Sequence, residues 1–207
     1  MKKVSFFEVI TPPDECVCTL SELKSWLRID GTDEDTELTL MLEASEDKVA
    51  CYINQVLVSQ TVRGSFDDLE LSQLEQFHFI SYKKFPLQSV SSVKYYDGSA
   101  YVTLDTDEYI LKQRDSGFPR ILLKNNTDIL CGNGDIAYPI QIEAIVGYAD
   151  AASVPKTIKT AILMYAALLY SSRGDCSECV CDSDGVPALP KVVRMALSKY
   201  KLQEVFG

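Results

Sequence analysis

The chain has 207 residues and a formal net charge of −10, with apolar and charged fractions of 46% and 24%, which suits one soluble globular domain, or one domain with a large insertion. That acidity argues against a surface that grips nucleic acid by its phosphates, which needs clustered Lys and Arg, although DNA could still slide through a channel with negative walls. No stretch approaches the roughly 18 apolar residues of a membrane span, and the opening MKKVSFFEVITPP, broken by Ser5 and Glu8, does not read as a signal peptide.

Residues 1–18 read as an extended arm, because Pro12 and Pro13 disfavour helix. Thr19 and Glu22 then form a capping-box pattern, followed by Leu20, Leu23 and Leu27 on one helical face. Asp30, Gly31 and Thr32 are expected to end this helix, with Thr32 capping the next. The first turn of that next helix carries Asp33, Glu34, Asp35 and Glu37, where negative charge suits the positive end of the helix dipole. Its apolar positions, Leu38, Met41, Leu42, Val49, Tyr52, Ile53 and Val56, fall at helical period. Trp26 and Cys51 are expected in the core.

From Val58 the texture becomes that of short strands. The expected strands are 58–66, 77–82, 88–96, 101–104, 109–112, 119–123 and 140–146, with a polar loop or one turn of helix at 67–76 and a glycine-bearing loop at 125–134. Asp97-Gly98 reads as a two-residue hairpin with positive φ at both positions. Helical pattern returns at Pro155, a residue suited to the first helical position. The apolar run AILMYAALLY, Ala161 to Tyr170, is too short to span a bilayer and reads as a central helix ending at Arg173-Gly174. A last helix is expected over 188–205, with Leu189, Val192, Val193, Ala196, Leu197 and Tyr200 along one side.

The expected fold is therefore α+β: about four helices forming one core, with an antiparallel β-sheet or small barrel inserted between the second and third. The helical core would comprise 1–57 and 151–207, and the β insertion 58–150. Leu38, Leu42, Ile53, Ile162, Leu163 and Leu168 are expected to be buried together.

Candidate chemistry is sparse. The chain has seven cysteines, read as reduced thiols. Cys176-x-x-Cys179-x-Cys181 could bind zinc or another thiophilic metal, with a fourth ligand from Cys16, Cys18 or Asp182. The second ligand pair of a structural zinc site is missing, however, so incidental loop thiols are the simpler reading and no cofactor is expected. His78 is the only histidine, which excludes most His-based catalytic and metal constellations. It reads as a structural strand residue. Asp30, Asp33, Asp35 and Glu37 lack the spacing of a calcium loop. There is no glycine-rich phosphate loop and no nucleophile elbow, so no enzyme is expected and no catalytic residue is assigned.

The stretch LSELKSWLRIDGTDEDTELTLMLEASEDKVACYI resembles the opening of the head–tail connector, or adaptor, proteins of tailed bacteriophages. Leu20, Lys24, Leu27, Arg28, Ile29, Asp33, Asp35, Leu38 and Leu42 fit that family's pattern, and Tyr52 and Ile53 fit its end. Further along, Val58-Ser-Gln60-Thr61, Phe85 to Gly98, Glu108-Tyr109, Val146-Gly147-Tyr148 and Val154-Pro155 to Ile162, followed by Tyr170 and Arg173, resemble later family segments in the same order. The Cys-rich loop and the tail beyond it depart from the pattern. The resemblance implies a non-enzymatic virion assembly protein of a phage or prophage. Such a protein forms a homo-oligomeric ring of about twelve copies under the portal and contacts portal and tail or stopper proteins. DNA would pass through it without sequence-specific binding, and no membrane is involved. The implied location is the virion neck, with the host cytoplasm before assembly and a monomer as an open option there. The alternative is a small Cys-based metal-binding or redox module.

Overall fold

The structure is a computed structural model that describes residues 6–66, 79–81, 84–112, 119–123, 138–173 and 188–202. The fold is α+β, with four α-helices among the described residues and antiparallel sheet inserted between the second and third. The chain divides into two compact units. One comprises Glu15–Val58 and Asp150–Lys201, the other Met1–Asp14, Ser59–Ala149 and Leu202–Gly207.

The helical unit opens with α1 (Leu20–Leu27). The Thr19 N–H donates to Glu22 Oε2 (2.7 Å) and the Glu22 N–H to Thr19 Oγ1 (3.2 Å), which is the expected capping box. The helix stops earlier than the Asp30-Gly31-Thr32 signal suggests. Arg28 takes the left-handed conformation (φ 58°), and the Ile29 N–H closes the last turn on the Lys24 carbonyl at 3.0 Å. The next helix, α2 (Asp35–Ile53), has Glu34 and not Thr32 at its N-cap position, with no side-chain cap bond, and the Thr32 carbonyl instead accepts from the Asp35 N–H in a preceding turn. It ends as α1 does, with Asn54 at φ 56°. Asn tolerates that conformation better than Arg, because its short polar side chain bonds locally.

Helix α3 (Lys156–Ser171) packs against α1, α2 and the short α4 (Lys191–Leu197). Its buried stripe is Ile158, Ala161, Ile162, Tyr165 and Ala166. Leu38, Leu42, Val49 and Ile53 of α2, Leu23 of α1, and Val193 and Leu197 of α4 complete the unit's core. Each such aliphatic side chain contributes about 1.5–3 kcal/mol on burial. Of the six residues expected together, Leu38, Leu42, Ile53 and Ile162 are buried, whereas Leu163 and Leu168 sit on the flanks of the α3 stripe and are half-buried.

Three further expectations are corrected. Trp26 lies beside the Leu20–Leu23–Leu27 stripe and is 49% exposed. Cys51 lies two residues from both Val49 and Ile53, which at 100° per residue turns it to the outer face, and it is exposed. The last helix covers only 191–197, because Pro190 sets its start and tight turns at Ser198 and Tyr200 end it.

Among its described residues the β unit holds two antiparallel sheets. The strands are β1 (Phe6–Thr11), β2 (Gln60–Phe66), β3 (Phe79–Ser81), β4 (Leu87–Tyr96), β5 (Tyr101–Thr103), β6 (Tyr109–Lys112), β7 (Arg120–Leu123) and β8 (Ile140–Val146). One sheet runs β1-β2-β8-β4-β5 and the other β3-β7-β6. The arm is thus strand β1, paired with β2. In β8, Ile140, Ile142, Ala144 and Val146 are buried and alternate with Gln141, Glu143 and Ile145, the period-two pattern of a sheet with one apolar face. Gly64 is needed in β2 because a Cβ there would lie 2.9 Å from the Phe66 ring and 3.0 Å from that of Phe7. Those two rings meet edge to face at 6.0 Å.

The 97–100 connection is a four-residue loop between the paired Tyr96 and Tyr101, not a two-residue hairpin. Only Gly98 has positive φ (106°). The Asp97 carboxylate accepts from the Ser99 and Ala100 N–H groups at 2.7 and 2.9 Å, and the Asp97 N–H donates to the Ala100 carbonyl at 3.0 Å, so side chain and backbone together close the turn. The expected 67–76 loop and 125–134 loop lie outside the described residues, as do Phe77 and His78 of the strand begun at 77.

Candidate functional site

Cys176, Cys179 and Cys181 lie outside the described residues, as do Cys131, His78 and Asp182. The two cysteines suggested as completing ligands are described. Cys16 is exposed, while Cys18 is buried and its thiol faces the Lys159 carbonyl at 3.7 Å. Burial, reinforced by the charges of Glu46 and Glu22, pushes the Cys18 thiol up to about 12. Burial and the nearby Glu46, Glu43 and Glu15 also raise Cys16. Thiols held protonated are poor metal ligands and poor nucleophiles. Among the described residues no group of three or more His, Cys, Asp or Glu is arranged to hold a metal.

The acidic turn has a structural role. Lys24 Nζ donates to the Gly31 carbonyl and to Asp35 Oδ1, the latter at 2.6 Å, so α1 reaches across the turn to the start of α2. Glu34 is held from the other side. The Tyr170 hydroxyl donates to Glu34 Oε2 at 2.8 Å and Arg173 Nη1 to Glu34 Oε1 at 3.0 Å, while the Arg173 guanidinium stacks 3.9 Å from the Tyr170 ring centre. The Tyr170 bond, and then that of Arg173, hold the Glu34 carboxyl below its usual range. Hydrogen bonding to that carboxylate raises Tyr170.

The segment leading into α1 is anchored to α2 by Glu46, whose Oε1 accepts the Cys18 N–H at 2.9 Å. Burial raises the Glu46 carboxyl, against the lowering effect of backbone N–H groups from Cys18 and Val17. Glu15 accepts the Ala151 N–H at 2.7 Å. At the far end of α2, Gln55 Nε2 donates to the Tyr200 carbonyl at 2.5 Å, and Lys201 lies 4.5 Å from the Tyr52 ring centre.

In the five-stranded sheet a row of charges crosses four strands. Arg63 of β2 donates to Glu143 Oε1 of β8 through Nε (3.0 Å) and Nη2 (2.8 Å). Glu8 of β1 lies 3.6 Å from Arg63 Nη1, and Lys94 of β4 lies 3.5 Å from Glu143 Oε1. Arg63 first, with help from Lys94, lowers the Glu143 carboxyl. At one end of this sheet Gln88 Nε2 donates to the Gly147 carbonyl (3.0 Å) and to Ser59 Oγ (3.2 Å), and the Gly147 N–H donates to the Pro86 carbonyl (2.7 Å). Three segments singled out in the sequence, at 58–61, 85–98 and 146–148, therefore meet.

No convergent catalytic set is formed by these groups among the described residues: the carboxylates with lowered values, Glu22, Glu34, Asp97, Glu143 and Asp150, are each tied to a structural partner. What the structure offers outward is surface. Leu40, Val192 and Met195 are 69%, 65% and 66% exposed on helix faces. Sequence periodicity placed Val192 and Ala196 on the apolar side of the last helix with Val193 and Leu197, but in this two-turn helix only Val193 and Leu197, one turn apart, turn inward, and Val192 and Ala196 are exposed. It also missed Glu46 and the Arg63–Glu143 pair, whose partners are distant in sequence.

Residues 18–90 match the family model described as "Phage gp6-like head-tail connector protein". No curated protein matches the chain significantly. Among solved structures, a chain from the virion of a native gene transfer agent (GTA) particle shares the fold with a TM-score of 0.69 at 18% identity, covering 98% of each chain. A chain from the neck of an empty GTA particle, computed with C6 symmetry, gives 0.68 at 16% identity, again over 98% of each. A third, from the neck of a native GTA particle computed with C12 symmetry, gives 0.66 at 15% and the same coverage. The family model is thus matched across α1, α2 and the first strands of the sheet that follows them, and the fold is shared over nearly the whole length with chains of these particles.

Proposed function

We propose that the protein is a non-enzymatic structural component of a phage or GTA-like particle neck. It closes into a ring of about twelve copies beneath the portal and continues the DNA channel toward the tail. The observation that carries this reading is the family match at 18–90, which falls on the segment built around the Lys24–Asp35 latch. Support also comes from the GTA neck structures, whose C6 and C12 symmetries are those of rings. The net charge of −10 suits a wall past which DNA slides without sticking. Portal on one side and tail or stopper proteins on the other are the partners, and the neck of the particle is the site of action. Before assembly the protein resides in the host cytoplasm.

The test is sedimentation and two-dimensional electron-microscopy averages of the purified protein, alone and with portal rings of its own particle. Rings, or a ring-shaped layer on the portal, are expected. A protein that stays monomeric in every condition and does not bind its portal overturns the reading.

A further inference from the structure

We infer that neighbouring copies join through the outward face of α4, which docks on the acidic outer face of α2 in the next copy. This deepens the ring reading above and rests on it.

In α4 the buried residues are Val193 and Leu197. Met195 lies two residues from each, so at about 100° per residue it points away from both. Lys191 stands one turn before Met195 and Lys199 one turn after, with Val192 and Arg194 to either side, and all of these are exposed. No acid occurs between Ala188 and Leu202. Among the described residues no carboxylate pairs with Lys191, Arg194 or Lys199, and Lys199 lies 4.7 Å from the Tyr200 ring centre. The face is thus an apolar centre inside a cationic rim, which is the anatomy of a protein–protein contact rather than of a phosphate grip.

The outer face of α2 has the same anatomy with the opposite sign. Leu40 lies two residues from the buried Leu38 and Leu42 and so points outward. Glu37 and Glu43 stand one turn before and after it, with Asp47 a turn beyond, and all three are exposed. None of these acids makes an ion pair among the described residues. The single cation of the helix, Lys48, is half-buried on a flank. Met195 and Val192 set against Leu40 shelter three apolar side chains that a single copy leaves exposed, while the cations of one rim meet the acids of the other.

Complementarity within one chain identifies the occupant as a second copy, because the two faces point apart in the same molecule. Along one side of α3, Lys159 shares a cavity with Thr39 and Glu43 of α2, and the Tyr170 hydroxyl bonds Glu34. Along another, Thr160 and Met164 line a groove with Val192 and Ala196 of α4. These two sides are roughly 110° apart around the helix. So α2 and α4 occupy different flanks of α3 and turn their outer faces away from it in different directions. Two different patches of one surface that fit each other make a heterologous contact, the kind that closes rings. A chain of net charge −10 approaching its own copy meets repulsion unless its basic face meets an acidic one, which fixes the direction of assembly.

The experiment reverses charge on each face in the full chain. One variant carries Glu43→Lys and Asp47→Lys, the other Lys191→Glu and Lys199→Glu. All four positions are exposed, and circular dichroism verifies that both variants fold. Each variant alone should need at least about tenfold more protein to form rings on the portal. An equimolar mixture should restore them, because copies alternating around the ring then present opposite charge at every contact. A chain carrying all four substitutions should also assemble. If the α2 variant assembles normally and only the α4 variant fails, the basic face belongs to DNA or to the portal, and the interface is overturned. Variants that both form rings as the unaltered chain does, or folded variants that neither the mixture nor the fourfold chain rescues, also overturn it while leaving the ring reading in place. Failure of the unaltered chain to form any ring overturns both.

Discussion

Lys24 Nζ lies 2.6 Å from Asp35 Oδ1, a bond between the last turn of α1 and the first of α2. The two residues belong to separate parts of the family-like opening, a lysine before Leu-Arg-Ile and an acid in the turn that follows. The structure shows why both are present: the lysine closes the acidic turn and so sets how α2 leaves α1. The Lys24 side chain is 18% exposed and that of Asp35 34%, so this is a partly sheltered pair. A double-mutant cycle with Lys24→Met and Asp35→Asn should give a coupling of about 1 kcal/mol in chemical denaturation. Additive single effects would show that the pair is only a crystallographic-style proximity without energetic weight.

Leu42 is 3% exposed in the α2 stripe. Leu42→Ala should cost about 2–5 kcal/mol, with the denaturant slope unchanged. The outer-face change Leu40→Ala, by contrast, should stay within about 0.5 kcal/mol for the isolated chain. A loss below about 0.5 kcal/mol at Leu42 would remove it from the core.

Much of the architecture was legible because its signals are local. The Thr19–Glu22 box spans three residues, and the alternation of Ile140, Ile142, Ala144 and Val146 needs no knowledge of what lies opposite. Where the outcome depended on which of several apolar residues won the inward face, the reading failed. Trp26 flanks a stripe already filled by leucines, and Cys51 falls half a turn from its buried neighbours. The polar contacts between distant segments of the helical unit were not legible. Glu34 meets Tyr170 and Arg173 across more than a hundred residues, and Glu46 meets Cys18 across the turn between α1 and α2. Nothing in a carboxylate's own sequence context marks its distant partner.

Acid should weaken the five-stranded sheet through Glu143. The Arg63 guanidinium, chiefly, holds this carboxyl below its unfolded value. Its stabilising contribution is therefore complete above the unfolded pKa of about 4.3 and is lost as pH falls through the lower folded value. Glu46 has the opposite sign: burial raises it, so its ionisation costs stability as pH rises through and above the ordinary carboxylate range. Thermal melts from about pH 6 to about pH 3 should show a shallower acid-side decline for Glu143→Gln than for the unaltered chain. Parallel curves would exclude Glu143 as a contributor.

The thiols should differ sharply in reactivity. Cys51 faces outward from α2, whereas Cys18 is buried, faces the Lys159 carbonyl and is pushed up to about 12. The thiolate is the reactive species, so at neutral pH Cys18 presents almost none, and its burial blocks the reagent as well. Brief treatment of the native protein with a maleimide, followed by peptide mass mapping, should label Cys51 fully and leave Cys18 unlabelled. Labelling of Cys18 should appear only as denaturant unfolds the helical unit, with the same midpoint as the loss of helical circular dichroism. Serine at Cys176, Cys179 and Cys181 together should change neither that midpoint nor ring formation, because no cysteine in the helical core depends on them in the connector reading. Stoichiometric zinc in protein purified without added metal, with unfolding on chelation, would instead favour a metal-binding module. Labelling of Cys18 at the rate of Cys51 in the native state would overturn its assignment as a buried, protonated thiol.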